Sequence, residues 1–310
     1  MIGASRAKEL SAFPPFVRRE VPWQRRVVET SHGEISAIVH GAGERDVVLF
    51  HGNPTWSYLW RKVIRALDGR GLRIIAPDLL GFGASAKPRR PGDHQLGMHI
   101  AALVEVMGAL GAERPILVGQ DWGGPIAAGV GMRLAASGAP PGGFVLANTA
   151  VLEPARPFRS KAFHRFSHLP ILSDVAFRGL LFPIPTLGLV QGDRLTMGPT
   201  ELAAYAWPLL SLVDRAGPLG LARMVPDSEA HPSTAVMDDI GAYMRRAAES
   251  APIALVWGNR DPILGRALER HRRAFARATV RETEAGHFLQ EEVPFALADA
   301  IVEVAGKVSG

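Results

Sequence analysis

Residues 115–124, P-I-L-V-G-Q-D-W-G-G, constrain this chain more than any other stretch. Ile116, Leu117 and Val118 form a short apolar run rich in branched side chains, which predicts a buried strand. Pro125, Ile126, Ala127 and Ala128, after Gly124, predict a helix. Gly119 and Gly123 flank Asp121 and let the backbone reverse sharply between the two elements. The middle residue is then lifted onto a strained turn at the sheet edge. That arrangement is a nucleophile elbow, with aspartate where serine is more usual. A carboxylate at the start of a helix, among backbone amides, presents a charged oxygen to whatever enters the pocket. An aspartate in front of a helix is also a common N-cap, so the surroundings must decide between the two.

Those surroundings alternate between strand and helix. Residues 27–30 and 35–39 read as two strands joined by the turn Ser31-His32-Gly33-Glu34, an opening hairpin. Val47-Val48-Leu49-Phe50 leads into the loop His51-Gly52-Asn53-Pro54-Thr55-Trp56, and a helix is expected over residues 55–67. Residues 72–76 make the next strand, ending at Asp78, and residues 98–110 carry helical spacing. After the elbow comes a strand over 144–147 that ends at Asn148-Thr149. Such alternation predicts a mostly parallel sheet with crossover helices on both faces and ligands at the C-terminal strand ends.

Beyond Val151 the strand signals stop. Residues 153–232 are proline-punctuated helical text, with Phe158, Phe163, Phe166, Phe177 and Phe182 among its apolar positions. This predicts a helical cap over the strand ends, inserted into a main domain of residues 1–152 and 233–310. The alternation then resumes: a helix over 233–246, a strand over 253–257, the loop Gly258-Asn259-Arg260-Asp261-Pro262, a helix to about 275, a strand over 278–283, and His287 before a last helix.

Composition narrows the function. The chain has 310 residues, 47% of them hydrophobic, enough for a full core. With no cysteine, disulfides, thiolate metal sites and cysteine nucleophiles are excluded. The net charge of +5 comes from scattered arginine pairs without interleaved aromatics, so no nucleic-acid partner is expected. Residues 1–20 lack an apolar stretch of signal-peptide length, and no later segment is long enough to span a bilayer. The expectation is a cytoplasmic protein without a membrane partner. His164 and His168 are spaced for a metal pair on one helix face, but no third ligand is evident, and neither metal nor cofactor is expected.

Asp121, Asp261 and His287 fall at the ends of different strands. Their order, nucleophile then acid then histidine, is that of the alpha/beta-hydrolase fold. Asp261 stands one helix and one strand before His287, as the acid member requires, although its turn setting also suits a helix cap. Asn148, at the end of the preceding strand, and Glu153 are poor alternatives for the acid. Asp78 is read as tying down the loop after its strand.

His51-Gly52-Asn53-Pro54-Thr55-Trp56-Ser57-Tyr58-Leu59-Trp60-Arg61, Asp78-Leu79-Leu80-Gly81-Phe82-Gly83-Ala84-Ser85 and Gly119-Gln120-Asp121-Trp122-Gly123-Gly124 together resemble the haloalkane dehalogenases. The likeness covers nearly the whole main domain and is weakest in the cap. The Asp-Trp elbow is shared with epoxide hydrolases; Asn53 after His-Gly is the sharper mark. The resemblance implies a carboxylate oxygen of Asp121 displacing halide from a saturated carbon, and an alkyl ester then hydrolysed by water that His287 activates and Asp261 supports. It implies Trp122 and Asn53 as neutral side-chain donors to the departing halide, with their backbone N–H groups as the oxyanion hole. Trp207 is a further indole in the cap that could reach the halide, although cap core is the plainer reading.

The implied partners are a small apolar halogenated substrate, water and halide, with a homo-oligomer suggested by apolar residues around 180–190. An epoxide hydrolase would share the triad but needs cap tyrosines, and Tyr205 alone lies within the cap. Fluoroacetate dehalogenases carry arginine after the nucleophile. A non-catalytic small-molecule receptor commonly loses a triad member, and here all three positions are filled.

Overall fold

The computed structural model describes residues 12–158 and 162–308. Residues 1–11, more than half of the N-terminal stretch that bears on a targeting signal, lie outside them. Eight strands form one sheet in the order β1-β2-β4-β3-β5-β6-β7-β8. β1 (Arg25–Thr30) and β2 (Gly33–His40) are the expected hairpin, and β2 pairs antiparallel with β4 (Leu72–Pro77). From there β3 (Arg45–Phe50), β5 (Ile116–Asp121), β6 (Gly143–Thr149), β7 (Ile253–Gly258) and β8 (Thr279–Thr283) run parallel. β5, β6 and β7 are buried almost throughout, which is why their sequences are continuous apolar runs.

Helices Arg61–Ala66 and Pro294–Lys307 pack together on one side of the sheet. Leu96–Ala109, Gly123–Ala136 and Pro232–Ala247 pack against one another as a second group. The helix expected over 55–67 begins later, as a 3-10 turn Ser57–Trp60 followed by Arg61–Ala66, because Trp56 is still extended at φ −152°.

Among the described residues between β6 and β7 there is no strand. The chain passes instead through short helical pieces that include Ala162–Ser167, Val175–Gly179, Ile184–Val190, Pro199–Ala206 and Ala216–Arg223. Phe177, Leu219 and Ala222 form a small apolar core of their own there, packed by Phe166 and Phe182. The helix carrying His164 ends at Ser167, so His168 falls in the turn that follows. Pro170 disfavours helical backbone just before it, and the two imidazoles do not share a helix face. No group of three metal-ligating side chains occurs among the described residues. No single described helix is long and apolar enough to cross a membrane; one pair, Leu172–Gly179 and Ile184–Val190, passes only if taken together, and it is bent by 89°.

Candidate active site

β5 delivers Asp121 at its last position, and the helix Gly123–Ala136 starts two residues later. The residue in the left-handed region is Asp121 itself, at φ 52°, a conformation costing an L-residue about 1–3 kcal/mol. The flanking glycines serve a different purpose from the one expected. Neither has a positive φ; they permit close approach. A Cβ on Gly119 would sit 2.4 Å from the carbonyl oxygen of Gly123. The register also slips between Gln120, paired with Ala147, and Asp121, paired with Thr149. Such a bulge re-aims a side chain, and Thr149 Oγ1 holds the turn by donating to the Asp121 carbonyl at 2.5 Å.

The loop after β3 approaches this carboxylate from the other side. The Asn53 backbone N–H donates to Asp121 Oδ1 at 2.9 Å. Gly52 has to be glycine here, because a Cβ would lie 2.4 Å from that same oxygen. His51, fully buried, anchors the loop: Nε2 accepts the Leu79 N–H at 2.9 Å and Nδ1 donates to the Gly52 carbonyl at 2.9 Å. Burial outweighs the nearby Asp78 and lowers its pKa, so the ring serves as a neutral strut.

The loops after β7 and β8 bring the remaining pair. His287 Nδ1 lies 3.0 Å from Asp261 Oδ2, and His287 Nε2 lies 3.6 Å from Asp121 Oδ2. Asp261 Oδ1 accepts the Ile263 N–H at 2.7 Å, so this aspartate caps its turn and holds the imidazole at once. Burial alone would depress the His287 pKa, but Asp261 and then Asp121 outweigh it and push it up to about 10.

The three residues expected from the sequence are therefore together. The other expected members are placed less uniformly. Trp122 is half-buried against the core, and no group among the described residues takes up its indole N–H. The Asn53 side chain faces the chain after β6: Nδ2 donates to the Pro218 carbonyl at 3.0 Å, while Oδ1 is buried without a partner among the described residues. One amide N–H of Asn53 stays uncommitted among the described residues. Trp207 packs in an aromatic cluster with Phe13, at 4.5 Å between ring centroids, and Trp56, at 5.8 Å. That is the setting of a core residue. Asp78 does what was expected: it pairs with Arg25 and accepts the Ser57 and Ala84 N–H groups at 2.8 Å each.

Several supporting residues are not evident from the sequence. Asn148, at φ 36°, donates to the carbonyls of Gly286 (2.8 Å) and His287 (3.2 Å) and accepts the Gly258 N–H at 2.9 Å, tying the ends of β6, β7 and β8 together. Glu292 gathers the N–H groups of Gly192, Asp193 and Gly286. Arg61, fully buried, holds Glu291 through its two terminal guanidinium nitrogens at 2.5 and 2.9 Å, and Tyr205 donates to the same carboxylate at 2.6 Å. The glutamates follow the histidine by four and five positions, which is the one sequence signal that could have found them.

Comparison with known proteins agrees with this geometry. A family model described as alpha/beta hydrolase fold matches residues 47–136. A haloalkane dehalogenase of Mycobacterium marinum is 32% identical over 283 residues, 88% of this chain and 89% of that protein. Haloalkane dehalogenase 2 of Mycobacterium tuberculosis is 31% identical over 91% of this chain and 95% of its own length. Among solved structures, the tetrameric haloalkane dehalogenase DpaA from Paraglaciecola agarilytica superposes with a TM-score of 0.76 at 24% identity, covering 96% of this chain and 97% of that one. DatA from Agrobacterium tumefaciens gives 0.78 at 23% identity, covering 92% and 97%. At these identities the structures speak for the fold. The curated relatives, similar over nearly their whole length, carry the assignment: this chain belongs to the haloalkane dehalogenase family.

Proposed function

We propose that this protein hydrolyses carbon–halogen bonds of haloalkanes to alcohol, halide and a proton, with Asp121 as nucleophile, His287 as base and Asp261 as its orienting acid. The observation that carries the residue roles is the unequal treatment of the two Asp121 oxygens. Oδ1 is held by the Asn53 N–H at 2.9 Å and becomes the ester carbonyl oxygen. Oδ2, 3.6 Å from His287 Nε2 and beyond hydrogen-bond length, keeps the lone pair that attacks carbon in line with the departing halide. The indole N–H of Trp122 and the uncommitted amide N–H of Asn53 receive the halide. Neutral donors suit a weakly basic anion that must leave again.

In the second step water adds its oxygen to Cγ of Asp121 and gives a proton to His287 Nε2. The Cγ–O(alkyl) bond breaks and His287 returns the proton to the alcohol oxygen. Asp121 re-forms as a carboxylate, and its remaining proton goes to solvent. Alkylation prepares this step, because an ester carries no charge. With Asp121 neutral, one of the two carboxylates that raise the His287 pKa is gone, and the ring can act as a base.

Residues 153–232 act in this reading as a cap closing a dry pocket over the strand ends. An epoxide-opening role finds less support: Tyr205, the one tyrosine in that segment, gives its hydroxyl to Glu291. A homo-oligomer belongs to the same reading. DpaA is described as tetrameric, and Leu180, Leu189, Leu195, Leu210 and Leu212 are exposed in this chain. So does a cytoplasmic location, which fractionation tests. The function is tested with a pH indicator and bromide detection on brominated alkanes. Stoichiometric bromide and acid are expected; diol from styrene oxide without bromide release would replace this function with epoxide hydrolysis.

A further inference from the structure

Gln120 precedes the nucleophile, is fully buried, and has no part in the scheme above. Its carboxamide nitrogen lies 3.3 Å from His287 Nε2 and donates to the His287 carbonyl at 3.1 Å. The two hydrogens of one NH2 thus reach two acceptors of one residue, the basic ring nitrogen and its own main chain. The Asn148 amide donates to the same carbonyl. Gln120 Oε1, at the other end of the group, is buried with no partner among the described residues. A stranded buried acceptor is costly, and such a group calls for a reason. Turning the amide over would not relieve it, because Oε1 would then face the lone pairs of the His287 carbonyl.

We propose that Gln120 is a positioning residue for the base, its amide N–H selecting the form of His287 in which Nε2 carries a lone pair and Nδ1 carries the hydrogen. The two ends of the ring then agree: Nδ1–H donates to Asp261 Oδ2 at 3.0 Å, and Nε2 accepts from Gln120. An imidazolium would set its Nε2–H against the Gln120 amide hydrogens, donor against donor. The charged groups bearing on the ring are Asp261 from the β7 loop and Asp121 from the elbow, and both favour the proton. Once Asp121 is esterified, Asp261 alone pulls that way and Gln120 opposes it. The amide therefore biases the ring toward its basic form in the step that needs a base.

This inference rests on the two-step reading above, and its test separates the two. Gln120→Met keeps length and bulk but removes the amide. With 1,2-dibromoethane, rapid mixing should show first-turnover bromide release close to wild type, followed by slow ester hydrolysis. The apparent pKa governing hydrolysis should rise by about one unit, a loss of about tenfold at neutral pH, and the rate should recover in alkali. A hydrolysis rate lowered equally at every pH, or an unchanged profile, would overturn the role of Gln120. Failure of both wild type and Gln120→Met to release any bromide would instead sink the two-step reading. Should Gln120→Met fail to fold, the side-chain amide protons of Gln120 in 15N-labelled wild type should shift as His287 titrates, and indifference to that titration refutes the contact.

Discussion

One carboxylate oxygen of Asp261 lies 3.0 Å from His287 Nδ1 while the other accepts the Ile263 N–H at 2.7 Å. Asp261 is thereby fixed at both ends, and so is the tautomer of the histidine it serves. Replacing Asp261 by Asn offers an amide that can present an N–H to Nδ1, the wrong partner for the required tautomer. In the serine-protease triad the same change costs about 10⁴-fold. For Asp261→Asn we expect a comparable loss of ester hydrolysis with the first equivalent of bromide still released. Rapid-quench kinetics check this, and steady turnover near wild type would move the orienting role elsewhere.

His287 has a folded pKa raised to about 10 against a reference of 6.5, burial being outweighed by Asp261 and Asp121. A raised pKa contributes stability that is fully present below the unfolded value and lost as pH rises through the folded one. Wild type should therefore lose stability between about pH 6.5 and 10 relative to His287→Phe. Urea unfolding of both proteins across that window is the measurement. Parallel curves would mean that His287 is not charged in the resting protein.

The Asn53 amide donates to Pro218, whose carbonyl belongs to the segment between β6 and β7. Asn53→Ala should slow alkylation by roughly 10²-fold, the loss typical of one donor at a developing anion, and loosen the contact to Pro218. Pre-steady-state bromide release reports the first effect. An unchanged burst would remove the side chain from halide stabilisation and leave it with the structural contact alone.

Tyr205 and Arg61 both bind Glu291, which is buried. Tyr205→Phe removes one hydrogen bond to a charge and should lower stability by about 1.5–3 kcal/mol while dehalogenation continues. Arg61→Met leaves the carboxylate without its main partner and should cost about 3–5 kcal/mol. Denaturant titration ranks the two. Tyr205→Phe that abolished turnover yet folded normally would point to a hydroxyl working on substrate, as an epoxide-opening enzyme requires.

The sequence shows what local sterics and chain order dictate. The elbow is visible because Gly119, Asp121 and Gly123 are neighbours, and the triad because each member falls at a strand's end or in the loop just after it. What it hides are contacts between distant positions. Gln120 reads as one more residue of a buried strand, and only the fold reveals that its amide meets His287, 167 positions away. Asn148, a poor candidate for the acid, proves to be the tie between three strand ends. The glycines of the elbow suggest turning freedom, whereas the positive φ belongs to Asp121 and the glycines make room. The helix face that the spacing of His164 and His168 suggests ends too early, at Ser167.

The central claim is a covalent bond between an Asp121 oxygen and the substrate carbon. His287→Phe leaves the nucleophile in place and removes the base, so mixing it with 1,2-dibromoethane should trap the ester. Mass spectrometry of the digested protein should find a bromoethyl group on the peptide containing Asp121, with one equivalent of bromide released. If that peptide stays unmodified while wild type still liberates bromide, water displaces the halide directly and Asp121 is not the nucleophile.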